Sequence, residues 1–165
     1  MVKVIFVCLG NICRSPSGEA VMNSLIKKEG LKDKIICDSA GTIAYHAGEK
    51  ADPRMRKHAS KRGYDLTSIA RKFTTDDFEE FDYIIAMDKS NYSDLLALDK
   101  EGIFVDKVSM MTSYCSIFDD EEVPDPYYGG PQGFEHVLDL LEDACNGLLQ
   151  KIKNENPELN NKWKI

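Results

Sequence analysis

The chain has 165 residues, a formal net charge of −7 and five cysteines at irregular spacing. That length suits one domain with a real core, while the acidic balance speaks against nucleic acid as a partner and no apolar run approaches the ~20 residues of a membrane span. An odd number of cysteines is not a secreted disulfide framework and a strand begins at once with no leader, so a cytoplasmic, reducing setting is expected, in which a cysteine is more often a reagent than a staple.

Val4–Val7 is a short β-branched and aromatic run, and Ile35–Cys37, Tyr83–Met87 and Ile103–Val108 resemble it. Such runs suit parallel strands buried on both faces. A first helix is predicted from Pro16, with Val21, Met22, Leu25 and Ile26 as its inner stripe and Gly30 as its stop. A second begins at Asp52-Pro53 and stops by Gly63, a short one follows Thr75, and another follows Asp88. Phe134, Val137, Leu138, Leu141, Cys145, Leu148 and Ile152 keep helical spacing in a long last helix. From Asn154 the chain turns polar, so residues 1–153 are taken as the domain and 154–165 as a frayed tail. Strands alternating with helices imply a single-domain, doubly wound α/β fold: a four-stranded parallel sheet with helices on both faces. Ligands bind such sheets beyond the carboxyl ends of the strands. Cys8, Ser39 and Asp88 each follow a predicted strand, so all three are expected at one crevice.

The stretch VCLGNICRSPSGEA, Val7–Ala20, carries the first chemical signal. Between a strand and a helix, backbone N–H groups can form a nest for an anion, and the helix adds its positive end. Gly10 allows tight turning and Asn11 tolerates a left-handed conformation. Arg14 offers a fork for two phosphate oxygens. Cys8 sits at the mouth of this positive ring, where a thiol is favoured as the nucleophilic thiolate, and Ser15 can donate to the sulfur as it leaves. Three rivals stand beside that reading. A nucleotide-binding loop would need a Gly-Lys-Ser/Thr ending, which is missing. A zinc knuckle through Cys8 and Cys13 lacks a second ligand pair, so no metal is expected. A buried structural cysteine followed by an ordinary turn stays open on these residues alone.

A second signal, VPDPYYGG at Val123–Gly130, lies in a long connection before the last helix. Loops of that length are commonly functional. Thiol-based phosphate chemistry needs a proton donor for the leaving oxygen, and Asp125, held extended by Pro126, is the candidate. Tyr127 and Tyr128 could wall a slot for an aromatic substrate. The acidic run Asp119–Glu122 reads as solvated surface. His58, in the cationic RMRKHASKR segment, reads as an exposed helix face, and His136 as surface. Cys37 and Cys145 read as core.

CLGNICRSP near one end and DPYYG near the other, with DSAGT at Asp38–Thr42 and FDYIIAMDKSN at Phe81–Asn91 in order between them, resemble the low-molecular-weight protein tyrosine phosphatase family, to about Lys153. The resemblance implies a small cytoplasmic α/β enzyme, expected as a monomer, that uses no cofactor and hydrolyses phosphotyrosine in proteins or peptides through a cysteinyl-phosphate. Inorganic phosphate and similar oxyanions would inhibit it. Carried over by position, Cys8 is the nucleophile, Arg14 the phosphoryl-binding residue and Asp125 the general acid, then base. Leu9, Gly10, Asn11, Ile12 and Cys13 would line the cradle up to Arg14 and Ser15. Asn11, Ser15 and Ser39 resemble the hydrogen-bonding set that holds it, and Asp88 the carboxylate that orients the arginine. Leu9, Ile12, Tyr45, Tyr127 and Tyr128 would form the substrate crevice, with His46 beside Tyr45. Cys13 resembles the second cysteine that traps an oxidised nucleophile as a reversible disulfide. Animal members often carry a histidine where this chain has Ser68, so how Asn11 is held here needs another answer. Sister activities remain alternatives: arsenate reduction, against which no resolving cysteine pair follows Met87; arginine phosphatase activity, against which Ile12 stands where threonine is usual; and a non-catalytic phosphopeptide-binding module.

Overall fold

The computed structural model describes residues 1–160. Strand β1 (Val2–Cys8) runs through the middle of a four-stranded sheet. Strand β2 (Ile35–Gly41) pairs with it on one side and β3 (Tyr83–Ala86) on the other, and β4 (Val108–Met110) pairs with β3 at the edge. All three pairings are parallel, with Val4 opposite both Cys37 and Tyr83. The strand order reverses direction at β1, so the loop leaving its carboxyl end opens at the switch point where such sheets bind ligands.

Helix α1 (Arg14–Lys28) follows β1, α2 (Pro53–Lys61) follows β2, and the single turn α3 (Asp77–Glu80) precedes β3. Helices α4 (Lys89–Leu98) and α5 (Pro131–Glu155) complete the fold. Alternation along β1 divides the core between the two faces of the sheet. Val4, Phe6 and Cys8 pack with Met22 of α1 and Leu138, Leu141 and Leu148 of α5. Ile5 and Val7 pack with Phe78, Phe81 and Leu95 on the opposite face. Helices therefore cover both faces. At the centre of α5, Gly147 lets Tyr114 approach so closely that a Cβ there would lie 2.0 Å from the Tyr114 carbonyl oxygen.

Three local readings are corrected. Ile103–Val108 is not the fourth strand, which starts at Val108. The Asp99 carboxylate accepts the amides of Ile103 (3.1 Å) and Phe104 (2.8 Å), groups that a strand would give to its ladder. Phe104 then stacks on Phe78, and Ile103 is left exposed. Residues 154–160 are not frayed: α5 runs to Glu155, the Asn156 amide donates to the Tyr83 hydroxyl, and Leu159 of a closing 3-10 turn is buried. The remainder of that predicted tail lies outside the described residues. His58 is not an exposed face residue. Its ring stacks on Phe134 at 5.3 Å between centroids, and its Nδ1 lies 3.2 Å from Glu135.

The long connection between β4 and α5 is pinned at several points. The buried Asp143 carboxylate accepts the amides of Ser116, Ile117 and Phe118 at 2.9–3.0 Å. The acidic run beyond is docked onto its neighbours: Asp120 pairs with His136, Glu121 with the Lys89 ammonium, and Glu122 accepts the Lys89 amide at the first turn of α4.

Candidate active site

The β1–α1 turn is built as the sequence suggests. Asn11 is the only non-glycine among the described residues with a left-handed backbone, at φ 58°. An asparagine tolerates that region better than most side chains. Its Nδ2 donates to Ser15 Oγ at 2.8 Å, and its Oδ1 accepts the Arg71 amide at 3.0 Å. A backbone amide, not the side chain of Ser68, thus serves the loop asparagine. Arg71 is fixed in turn by a forked pair to Asp77 (3.0 Å to both oxygens) and by a 3.0 Å bond to Asp38. Gly10 is not in a left-handed turn; a Cβ there would meet the His46 ring at 3.0 Å, so this glycine provides clearance.

Cys8 Sγ lies 3.0 Å from Ser15 Oγ, and both residues are buried. Arg14, only 2% exposed, donates from Nη1 to Asp88 Oδ2 at 2.6 Å and to the Val123 carbonyl at 3.0 Å. Burial opposes its charge, but Cys8, Asp88 and Asp125 more than compensate and raise its pKa. Asp88 has two duties, because its other oxygen caps α4 by accepting the Asn91 amide at 2.7 Å. Asp125 enters from the long connection, with Oδ2 3.7 Å from Arg14 Nη2 and Oδ1 accepting the Tyr127 amide at 3.0 Å. Val123, two residues earlier, is buried and donates its amide to the Met87 carbonyl at the end of β3.

These groups face one open cleft of about 330 Å³, lined by Cys8, Leu9, Gly10, Ile12, Cys13, Arg14, Ile43, Tyr45, His46, Asp125, Tyr127 and Tyr128. Tyr45 and Tyr128 stand almost fully exposed at its mouth, and Ile12 is buried in its wall. The Cys13 thiol has its pKa pushed up by burial first, then by Asp52 and Cys8, so it is held protonated. Ser39 is not among the groups that hold the loop. Strand alternation turns its hydroxyl toward α1, where it donates to Glu19 at 3.0 Å. Ser15 instead reaches the next carbonyl, of Ala40, at 3.4 Å. Glu19 is a half-buried carboxyl outside the cleft, its pKa raised to about 7 by desolvation first, with the Ser39 hydrogen bond opposing the shift and Asp38 adding to it.

Arg71, Val123 and Ile43 are contributors that sequence reasoning did not assign. The first two act through backbone groups, which carry no residue signature.

The family model described as low molecular weight phosphotyrosine protein phosphatase matches residues 3–158. The chain is 55% identical to the Synechocystis sp. protein slr0328, over 93% of this chain and 98% of that one. Among solved structures it resembles a protein tyrosine phosphatase from Entamoeba histolytica, with a TM-score of 0.88, 49% identity and coverage of 96% and 99% of the two chains. It also resembles a Drosophila arginine phosphatase, with a TM-score of 0.86, 32% identity and coverage of 92% and 98%. A cysteine- and arginine-bearing strand-to-helix turn at the switch point, a family match along almost the whole chain and a phosphatase of near-identical fold lead to one conclusion: this chain belongs to the low molecular weight phosphotyrosine protein phosphatase family and is an enzyme of that class.

Proposed function

We propose that the chain hydrolyses phosphotyrosine in proteins or peptides by two displacements at phosphorus. The loop amides from Leu9 to Ser15 and the Arg14 fork hold the phosphoryl oxygens. The Cys8 thiolate attacks phosphorus, so that an S–P bond forms as the P–O bond to the tyrosyl oxygen breaks. Asp125 gives its proton to that oxygen. Water then attacks the cysteinyl-phosphate, Asp125 takes its proton, and the thiolate departs with the Ser15 hydroxyl 3.0 Å away to receive its charge. Tyr45, Tyr127, Tyr128, Leu9 and Ile12 make the slot for the aromatic ring. The reading is carried by one observation: Cys8, Arg14 and Asp125 line a single cleft, with the acid's carboxylate 3.7 Å from the arginine.

Cys8→Ser should abolish turnover while oxyanion binding is kept; measurable steady-state hydrolysis by that variant would remove Cys8 as nucleophile. Asp125→Ala should lose about 100-fold or more on poor leaving groups and much less on good ones. Equal losses would remove Asp125 as the acid. The likeness to the Drosophila arginine phosphatase favours a second reading, phosphoarginine hydrolysis. Ile12 speaks for tyrosine, and assays on phosphotyrosine and phosphoarginine peptides side by side decide between them. The protein is further read as a cytoplasmic monomer inhibited by phosphate, with Cys13 guarding Cys8 against oxidation. Among the described residues no helix is long and apolar enough to cross a membrane.

A further inference from the structure

Asp125 lies on a loop and is partly exposed, yet a general acid must sit within hydrogen-bond reach of its leaving group. Upstream, Val123 is tied to Met87 and Arg14. Downstream, the chain is held by a different device. The Asp52 amide donates to the Ile12 carbonyl of the phosphate loop at 2.8 Å, fixing the start of α2 against the loop. The Asp52 carboxylate accepts from Arg54 Nε at 3.2 Å and Nη2 at 3.0 Å. The Arg54 guanidinium so held lies between two rings, 5.1 Å from the centre of Tyr127 and 5.0 Å from that of Phe134. Phe134 is also stacked on the His58 ring. Tyr127, whose amide binds Asp125 Oδ1, closes the circuit back to the acid.

We propose that Arg54 is a positioning residue for Asp125: clamped by Asp52 and stacked on Tyr127, it sets the distance between the proton donor and the phosphate loop. The inference rests on Asp125 being the acid. A planar, forked cation suits this task, since it meets a carboxylate at its edge while presenting flat faces to rings. The competing explanation is that Arg54 is merely a rim charge drawing anionic substrates to an acidic protein. The two differ in which kinetic quantity moves.

The test compares kcat/KM, which reports the first displacement, for phenyl phosphate and p-nitrophenyl phosphate. Arg54→Ala should lower the first by about tenfold, as a displaced catalytic group does, and the second by less than about twofold. Vanadate inhibition should be unchanged. In an Asp125→Asn background, Arg54→Ala should cost nothing further on either substrate. Lys57→Ala, which removes a cation from the same helix, should leave both substrates unaffected. Equal losses on both substrates, weaker vanadate inhibition, or a multiplicative loss in the double variant would overturn the proposal. Should Arg54→Ala fail to fold, Arg54→Lys carries the same comparison, since it keeps the charge and loses the planar fork. If Asp125→Asn itself shows no leaving-group dependence, the reading of Asp125 falls and takes this inference with it. If Asp125→Asn shows it and the Arg54 variants do not, only this inference falls.

Discussion

Arg14 Nη1 donates at once to Asp88, the N-cap of α4, and to the Val123 carbonyl, two residues before the acid. The side chain proposed to bind phosphate therefore also ties the start of α4 to the long connection. Asp88→Ser separates the duties of the aspartate, because serine still supplies a capping oxygen but no charge for the arginine. We expect vanadate and phosphate to bind about tenfold or more weakly, in keeping with a charge-assisted bond, with the melting temperature moved by a few degrees at most. Undiminished vanadate affinity would show that Asp88 does not orient Arg14.

Glu19 should make stability depend on pH in an unusual direction. Its pKa is raised from 4.5 to about 7 by burial, so between those values the folded chain keeps a proton that the unfolded chain releases. The contribution is full below about pH 4.5 and is lost as pH rises toward about 7. Glu19→Gln keeps an oxygen for the Ser39 hydroxyl and removes the proton. Urea unfolding from pH 5 to pH 8 should show a falling stability in the parent that flattens in the variant. Identical slopes would place the titration elsewhere.

Gly147 provides a stability test on which two effects oppose. In a helix interior, alanine is favoured over glycine by about 1 kcal/mol. The added Cβ would lie 2.0 Å from the Tyr114 carbonyl, however, and that neighbour is backbone. Overpacking of this kind costs roughly 1–3 kcal/mol, so Gly147→Ala should lower the melting temperature. A rise would mean that α5 and the Tyr114 turn can part without loss.

Oxidation should separate the two loop cysteines. With Cys13 held protonated by burial, Cys8 should react with peroxide first, giving a sulfenic acid that condenses with the Cys13 thiol and releases water. Inactivation by mild peroxide should be reversed by a thiol reductant in the parent and become irreversible in Cys13→Ser. Full recovery of that variant would deny Cys13 a protective role.

The sheet was legible because buried parallel strands write themselves as unbroken β-branched runs, and the phosphate loop because its groups are neighbours in sequence. The placing of Asp125 beside Cys8 and Arg14 was legible only as an expectation from the chemistry those two residues suggest, and all three line one cleft. What escaped reading depends on partners far along the chain. Ile103–Val108 has strand composition but loses its amides to Asp99, four and five residues earlier. Ser39 follows strand alternation, which sends its hydroxyl to Glu19 of α1 rather than to the loop. The Arg71 amide and the Val123 carbonyl belong to no residue type, so no motif announces them. The cationic neighbours of His58 suggest exposure, and Phe134, arriving from α5, covers one of its faces.

The pinning of the long connection divides it into a constant part and a variable one. Asp143 fixes residues 116–118, and Val123 fixes the approach to Asp125. Between these two fixed points lie four acidic residues, three of which, Asp120, Glu121 and Glu122, bind His136 and Lys89 through their side chains. Substitutions or insertions in Asp119–Glu122 can therefore redraw the surface between these fixed points while Asp125 keeps its place.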